Sequence, residues 1–129
     1  MNDRLERYLA DFVDHAGRVG HLVDKGRAAF DKDEFLRYAA EALLVRLGEI
    51  VVRLDQAFPE FAQQHPELEL RQLKAARNVI AHGYDIVDYD VVWEVMSIDI
   101  PRVAGLVDAF RREGAATLDG PERTAQAHE

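Results

Sequence analysis

The sequence contains no cysteine in its 129 residues. That excludes disulfides, thiolate catalysis and sulfur-ligated zinc, and it fits a reducing cytosol. Cations are outnumbered, with Lys+Arg 16 against Asp+Glu 24 and a formal net charge of -8. A protein that coats nucleic acid generally is excluded, because nonspecific affinity comes from neutralising many phosphates with many cations. No apolar run reaches the length of a membrane span, and the N-terminus M-N-D-R-L-E-R-Y is charged from its start. Neither an anchor nor a signal segment is expected, and a cytoplasmic protein follows. Strand alternation, hairpin dipeptides between apolar runs and internal repeats are missing too. What remains is a chain that is 48% hydrophobic, enough for one domain to bury a core without metal or disulfide.

Along the chain, Leu5, Tyr8, Leu9, Phe12, Ala16, Val19 and Val23 recur at helical spacing from about Asp3, which can cap the segment. Gly17, Gly20 and Gly26 weaken its end, and K-G-R-A-A-F-D-K-D reads as a connection with Asp33 as the next N-cap. The clearest pattern follows, with Phe35, Leu36, Ala39, Ala40, Leu43, Leu44, Leu47, Ile50, Val51 and Leu54 on one stripe. This is the expected main core helix, and Phe58-Pro59 ends it because the residue before proline avoids helical geometry. A turn or two is expected over residues 59–65. Pro66 then opens a helix of about Glu67 to His82, with Gly83 as its stop. Residues 85–88 read as a turn, and Asp88 or Asp90 caps a last long helix that Pro101 should kink near Ser97. From Gly114 onward almost nothing is large and apolar. The expectation is an all-α, antiparallel bundle of four to five helices over residues 1–113, with a disordered tail over 114–129.

The chemistry is concentrated in L-R-Q-L-K-A-A-R-N-V-I-A-H-G-Y-D-I-V-D, residues 70–88. At about 100° per residue, Leu70, Leu73, Arg77 and Ile80 share a stripe with the arginine near its middle. An arginine is almost never buried without a partner. This face therefore meets something polar or anionic, or a second copy of itself. Arg71, Lys74 and Arg77 also form a basic segment with no acid before His82, and Arg71 and Lys74 are candidate phosphate contacts.

Cleaving an RNA phosphodiester without a metal needs a base for the 2′-hydroxyl, an acid for the leaving oxygen and positive charge on the transition state. His82 can pass protons near neutral pH, a role that contributes about 10²- to 10⁴-fold in rate. Arg77 keeps its proton and can only clamp phosphate oxygens. Asn78, four residues before His82, can orient the ring or the substrate. A separate acid and base come most simply from two chains, with Arg77 and His82 of each protomer facing across a twofold axis. The competing reading is structural: an Arg-x4-His pair recurs by chance, and a histidine near a helix C-terminus often only caps carbonyls and answers the dipole.

At R-N-V-I-A-H-G-Y the sequence resembles the HepT-like toxins of the HEPN superfamily, whose signature is Arg-Asn-x-x-x-His-x-Tyr. The resemblance covers roughly Arg4 to Arg112. It includes L-G-E at 47–49, Y-D-I-V-D-Y-D-V-V-W-E-V after the motif, and I-P-R-V at 100–103. It implies a homodimeric, metal-independent ribonuclease toxin of HEPN-like fold, with Arg77 and His82 catalytic and Asn78 in support. It also implies a partner, a minimal nucleotidyltransferase antitoxin (MNT) that uses ATP to adenylylate Tyr84, whereas this chain needs no cofactor. AMP on that phenol would put bulk and negative charge where substrate phosphate must sit. The chain departs from many relatives at Leu70 and Ala75-Ala76, which should affect packing. Its acidity favours a confined substrate such as tRNA, on the family's analogy.

Other residues carry less. Asp11, Asp14, His15 and His21 match no standard metal spacing and read as solvated polar groups. Glu49 beside Gly48 reads first as a hydrogen-bonding group within the bundle or dimer and second as part of the active site. Tyr89 and Trp93 read as packing residues rather than base-stacking ones. Two alternatives stand beside the ribonuclease: a noncatalytic module that presents Tyr84 and a groove to a nucleotidyltransferase, and a plain structural helical dimer.

Overall fold

The computed structural model describes residues 2–77 and 87–118, the side chains of 76, 77 and 115–118 excepted. Helix α1 spans Asp3–Val23 and is capped by Asn2 rather than Asp3, since the Asn2 carboxamide oxygen accepts from the backbone of Arg4 and Leu5. A cap residue must precede the first helical turn to reach its free N–H groups, and Asp3 already lies within that turn. Gly17 and Gly20 do not shorten the helix. Gly26 does the breaking: its φ of 93° lies in the left-handed half of the map, where glycine is at ease.

The segment expected to be a connection contains a helix. α2, Arg27–Lys32, buries Phe30 completely. One apolar anchor in six residues is too little periodicity to read, so the helix is a product of tertiary packing. Asp33 caps the next element by accepting from the Phe35 backbone, and α3 runs over Glu34–Ala57 and ends at Phe58, as the Phe-Pro step dictates. Its inward row holds Ala40, Leu44, Leu47, Val51 and Leu54. Phe35, expected in that row, is 73% exposed instead. It lies about 180° around α3 from Leu44, while its neighbour Leu36 packs against the core.

The helix expected from Glu67 to His82 is interrupted. After the short α4, Phe61–Gln64, a 3-10 turn forms over Pro66–Leu68. Glu69 then enters the left-handed region at φ 60°, and a second 3-10 segment covers Leu70–Arg77. A non-glycine residue in that region costs about 1–2 kcal/mol. The carboxylate of Glu69 receives Arg102 at 3.1 Å, a contact that holds the break against the last helix. The expected stop at Gly83 and most of the turn before Asp88 lie outside the described residues.

Asp88 caps α5, Tyr89–Glu94, accepting from the backbone of Asp90 and Val91. The disturbance expected near Ser97 takes the form of a π turn over Val95–Asp99, after which α6 runs over Ile100–Leu118. Pro101 has no N–H for the carbonyl four residues back, and a widened turn relieves the clash of its ring. From within that turn Ser97 Oγ donates back to the Trp93 carbonyl of α5 at 2.7 Å. Helix α6 continues five residues past Glu113, and residues 119–129 of the expected tail lie outside the described ones.

The described residues are therefore all-α, with six α-helices rather than four or five and no strand. Helix α1 packs on α3 and α6, and Leu9, Phe12 and Val19 meet Leu44, Leu47, Met96, Val103 and Val107 in one core. Arg111 of α6 closes the bundle on Glu6 of α1 at 2.8 Å. No described helix is long and apolar enough to cross a membrane.

Candidate active site

The residues singled out for chemistry divide at Arg77. Its backbone closes the 3-10 segment Leu70–Arg77, while Asn78, His82 and Tyr84 lie outside the described residues. The helical wheel that placed Arg77 among apolar positions assumed 3.6 residues per turn. A 3-10 segment has three, so Leu70 and Leu73 share one row of it. Leu70 and Leu73 are 3% and 5% exposed, and they seat the segment on the core beside α3.

Arg71 and Lys74, the candidate phosphate contacts, are both turned to Asp55 near the end of α3. Lys74 Nζ donates to Asp55 Oδ2. Arg71 Nη2 donates to Asp55 Oδ1 at 3.4 Å and to the Pro59 carbonyl at 3.3 Å. The Asp55 side chain is only 16% exposed. The hydrogen bond from Lys74, against the opposing effect of burial and with the Lys74 and Arg71 charges in support, holds its carboxyl below the usual value. Sequence reading missed Asp55, because nothing local marks an acid that pairs 16 and 19 residues downstream.

On the other side of the motif, Tyr89 Oη donates to Glu41 Oε2 at 2.6 Å. The Arg37 guanidinium lies 5.5 Å from the centre of the Tyr89 ring. Arg27 pairs with Asp31 at 2.8 Å and with Asp90, and it stands 5.9 Å from the centre of the Trp93 ring. Both aromatic side chains pack on Phe30, with ring centres 6.0 and 5.2 Å away for Tyr89 and Trp93. Their role here is packing, as their helical spacing suggested. Asp55 and Glu41 lie 14 positions apart on α3, about 21 Å at 1.5 Å per residue. Both flanks of the motif are thus tied to one helix.

Glu49 is exposed and makes no hydrogen bond or ion pair with the described residues. It shares a polar cleft of about 310 Å³ with Asp11, His15, Arg46, Ile50 and Arg53, between α1 and α3. Asp11, Asp14 and His15 have ligand atoms within 4.8 Å of one another. His15 is already engaged on both ring nitrogens, with Nδ1 at 2.9 Å from the Asp11 carbonyl and Nε2 accepting from Arg18 at 3.2 Å. Asp11 and Asp14 are exposed, whereas the His15 side chain, read as solvated, is only 13% exposed. His21 is exposed at the end of α1.

A family model described as ribonuclease HepT-like matches residues 5–110, the whole bundle core and every motif residue. The chain belongs to the HepT-like ribonuclease family. A Thermococcus cleftensis protein named "Probable ribonuclease HepT" is 24% identical over 110 residues, 84% of this chain and 100% of that protein. Two Methanocaldococcus jannaschii proteins with provisional RNase names are 23% and 27% identical, each over 77% of this chain and over 89% and 84% of their own lengths. No solved structure matches significantly. Membership in the HepT-like family supports RNA cleavage as the coarse function. It also gives the R-N-V-I-A-H-G-Y stretch a context that an isolated Arg-x4-His pair lacks.

Proposed function

We propose that this HepT-like protein is a metal-independent endoribonuclease toxin that works as a homodimer. Arg77 clamps the scissile phosphate, and His82 passes protons to and from the reacting oxygens. Asn78 orients the ring or the substrate. Two copies of the motif across a twofold axis provide one acid and one base. The substrate is a confined RNA such as tRNA, which suits a chain of net charge -8. Tyr84 is the control point: an MNT-type nucleotidyltransferase antitoxin adenylylates it with ATP and so closes the phosphate site with a competing anion.

The observation that carries this reading is the family match over residues 5–110, which spans the entire Arg-Asn-x-x-x-His-x-Tyr motif. The ion pairs that occupy Arg71 and Lys74 support a narrow division of labour. Both of those cations are engaged by Asp55.

The test is incubation of the purified protein with total RNA, before and after adenylylation, alongside Arg77→Ala and His82→Ala. The expected result is a shortened tRNA band with the unmodified parent alone. Cleavage that persists in both variants would falsify the catalytic assignment. If AMP is added to Tyr84 but the unmodified parent never cuts RNA, the chain is a noncatalytic module that partners the nucleotidyltransferase.

A further inference from the structure

Two cations three residues apart, inside the basic segment of a ribonuclease, would ordinarily be assigned to substrate phosphate. The geometry gives them another task. Asp55 offers one carboxylate oxygen to each, Oδ2 to Lys74 and Oδ1 to Arg71. On the same segment Leu70 and Leu73 are buried in the core. One side of the Leu70–Arg77 segment is therefore held by apolar contact and another by a two-cation, one-anion pair. Lys74 precedes Arg77 by a single 3-10 turn, about 6 Å along the axis.

We propose that Asp55, through Lys74 and Arg71, is a positioning residue for Arg77, and that Lys74 acts on the reaction through this anchor rather than by touching RNA. The inference rests on the assignment of Arg77 to the reaction. A carboxylate at this place has a second effect: it cancels local positive charge, so the segment does not bind phosphates indiscriminately. Both effects favour one fixed cation over a diffuse basic patch. A 3-10 segment of eight residues is long for its kind, and an external tie of this sort helps to fix the direction in which its last residue leaves it.

The experiment is a double-mutant cycle with Asp55→Asn, Lys74→Gln and the pair combined. It is read by cleavage kinetics, by the salt dependence of KM and by amide hydrogen exchange over residues 70–77. The anchor predicts that each single variant lowers kcat about tenfold, as a misplacement of an ångström or less can do. KM should stay within about twofold, and the double variant should be no worse than either single one. Exchange over 70–77 should quicken in all three. A raised KM with a flatter salt dependence in Lys74→Gln, and no change in Asp55→Asn, would overturn the proposal and make Lys74 a phosphate contact. Faster exchange with unchanged kcat would also overturn it, by cutting the link to Arg77. Unchanged exchange in Asp55→Asn refutes the anchor even if the parent cuts no RNA, a result in which the ribonuclease reading fails separately.

Discussion

Tyr89 donates its phenolic hydrogen to Glu41 at 2.6 Å, joining α5 to α3 across 48 residues of sequence. Ionising the phenol would break that bond and set a second negative charge beside the carboxylate. The hydrogen bond to Glu41, then burial, then the Glu41 charge raise the Tyr89 pKa from 10.0 to about 12. A pKa raised on folding stabilises in full below the unfolded value of 10.0 and loses its effect as pH climbs through about 12. Tyr89→Phe should therefore cost about 1 kcal/mol at neutral pH. Urea unfolding of parent and variant should show that gap constant to about pH 10 and closing above it. A gap that widens in alkali would contradict the bond.

Asp55 gives the mirror-image case on the acid side. Its folded pKa is held below the usual value of 3.8, first by the hydrogen bond from Lys74. Its stabilisation is present in full above that value and disappears as pH falls through the lower folded one. Asp55→Asn should be less stable than the parent at pH 7. The difference should shrink at pH below about 3.8 as the parent's own carboxylate is protonated. Chemical denaturation at pH 7, 5 and 3 checks this, and a difference that is the same at all three would show that the ion pair contributes nothing.

Leu44 and Phe35 were both read into the apolar pattern of α3 and have opposite fates, because nine residues at about 100° each set them on opposite faces of the helix. Leu44 is 0% exposed and Phe35 is 73% exposed. Leu44→Ala should cost about 2–5 kcal/mol through lost burial and a residual cavity, and Phe35→Ala should stay within about 0.5 kcal/mol of the parent. Thermal unfolding of the two variants side by side is sufficient.

That pair also marks how far the sequence could be read. Periodicity located α1 and α3 almost to the residue, because each presents five or more apolar positions at one spacing to one core. Reading every apolar residue of α3 into one stripe misplaced Phe35, which the spacing itself sets on the face opposite Leu44. It missed α2, whose only anchor is Phe30, and it could not see the break at Glu69, which depends on a left-handed backbone and on Arg102 from a distant helix. Of the candidate site, the residue types were legible because R-N-V-I-A-H-G-Y is a local string. The supports were not, since Asp55 and Glu41 act across 19 and 48 residues. Lys74 shows the same limit: its charge is visible in the sequence, its partner Asp55 is not.

Tyr84 allows the proposed control to be separated from the proposed chemistry. A phenol is not needed for phosphate clamping by Arg77 or for proton transfer by His82, so Tyr84→Phe should cut RNA at a rate within a few-fold of the parent. It has no oxygen to accept AMP, so coexpression with the nucleotidyltransferase and ATP should leave its mass unchanged and its cleavage intact. The parent treated in the same way should gain mass in whole AMP units on Tyr84 and lose cleavage. The added phosphate carries a fixed negative charge, and its effect should resemble competition with substrate phosphate before it resembles unfolding: lower RNA affinity with an unchanged melting temperature. Loss of cleavage in Tyr84→Phe without modification would move the tyrosine into the reaction itself. Silencing of Tyr84→Phe by the nucleotidyltransferase would place the control elsewhere in the complex.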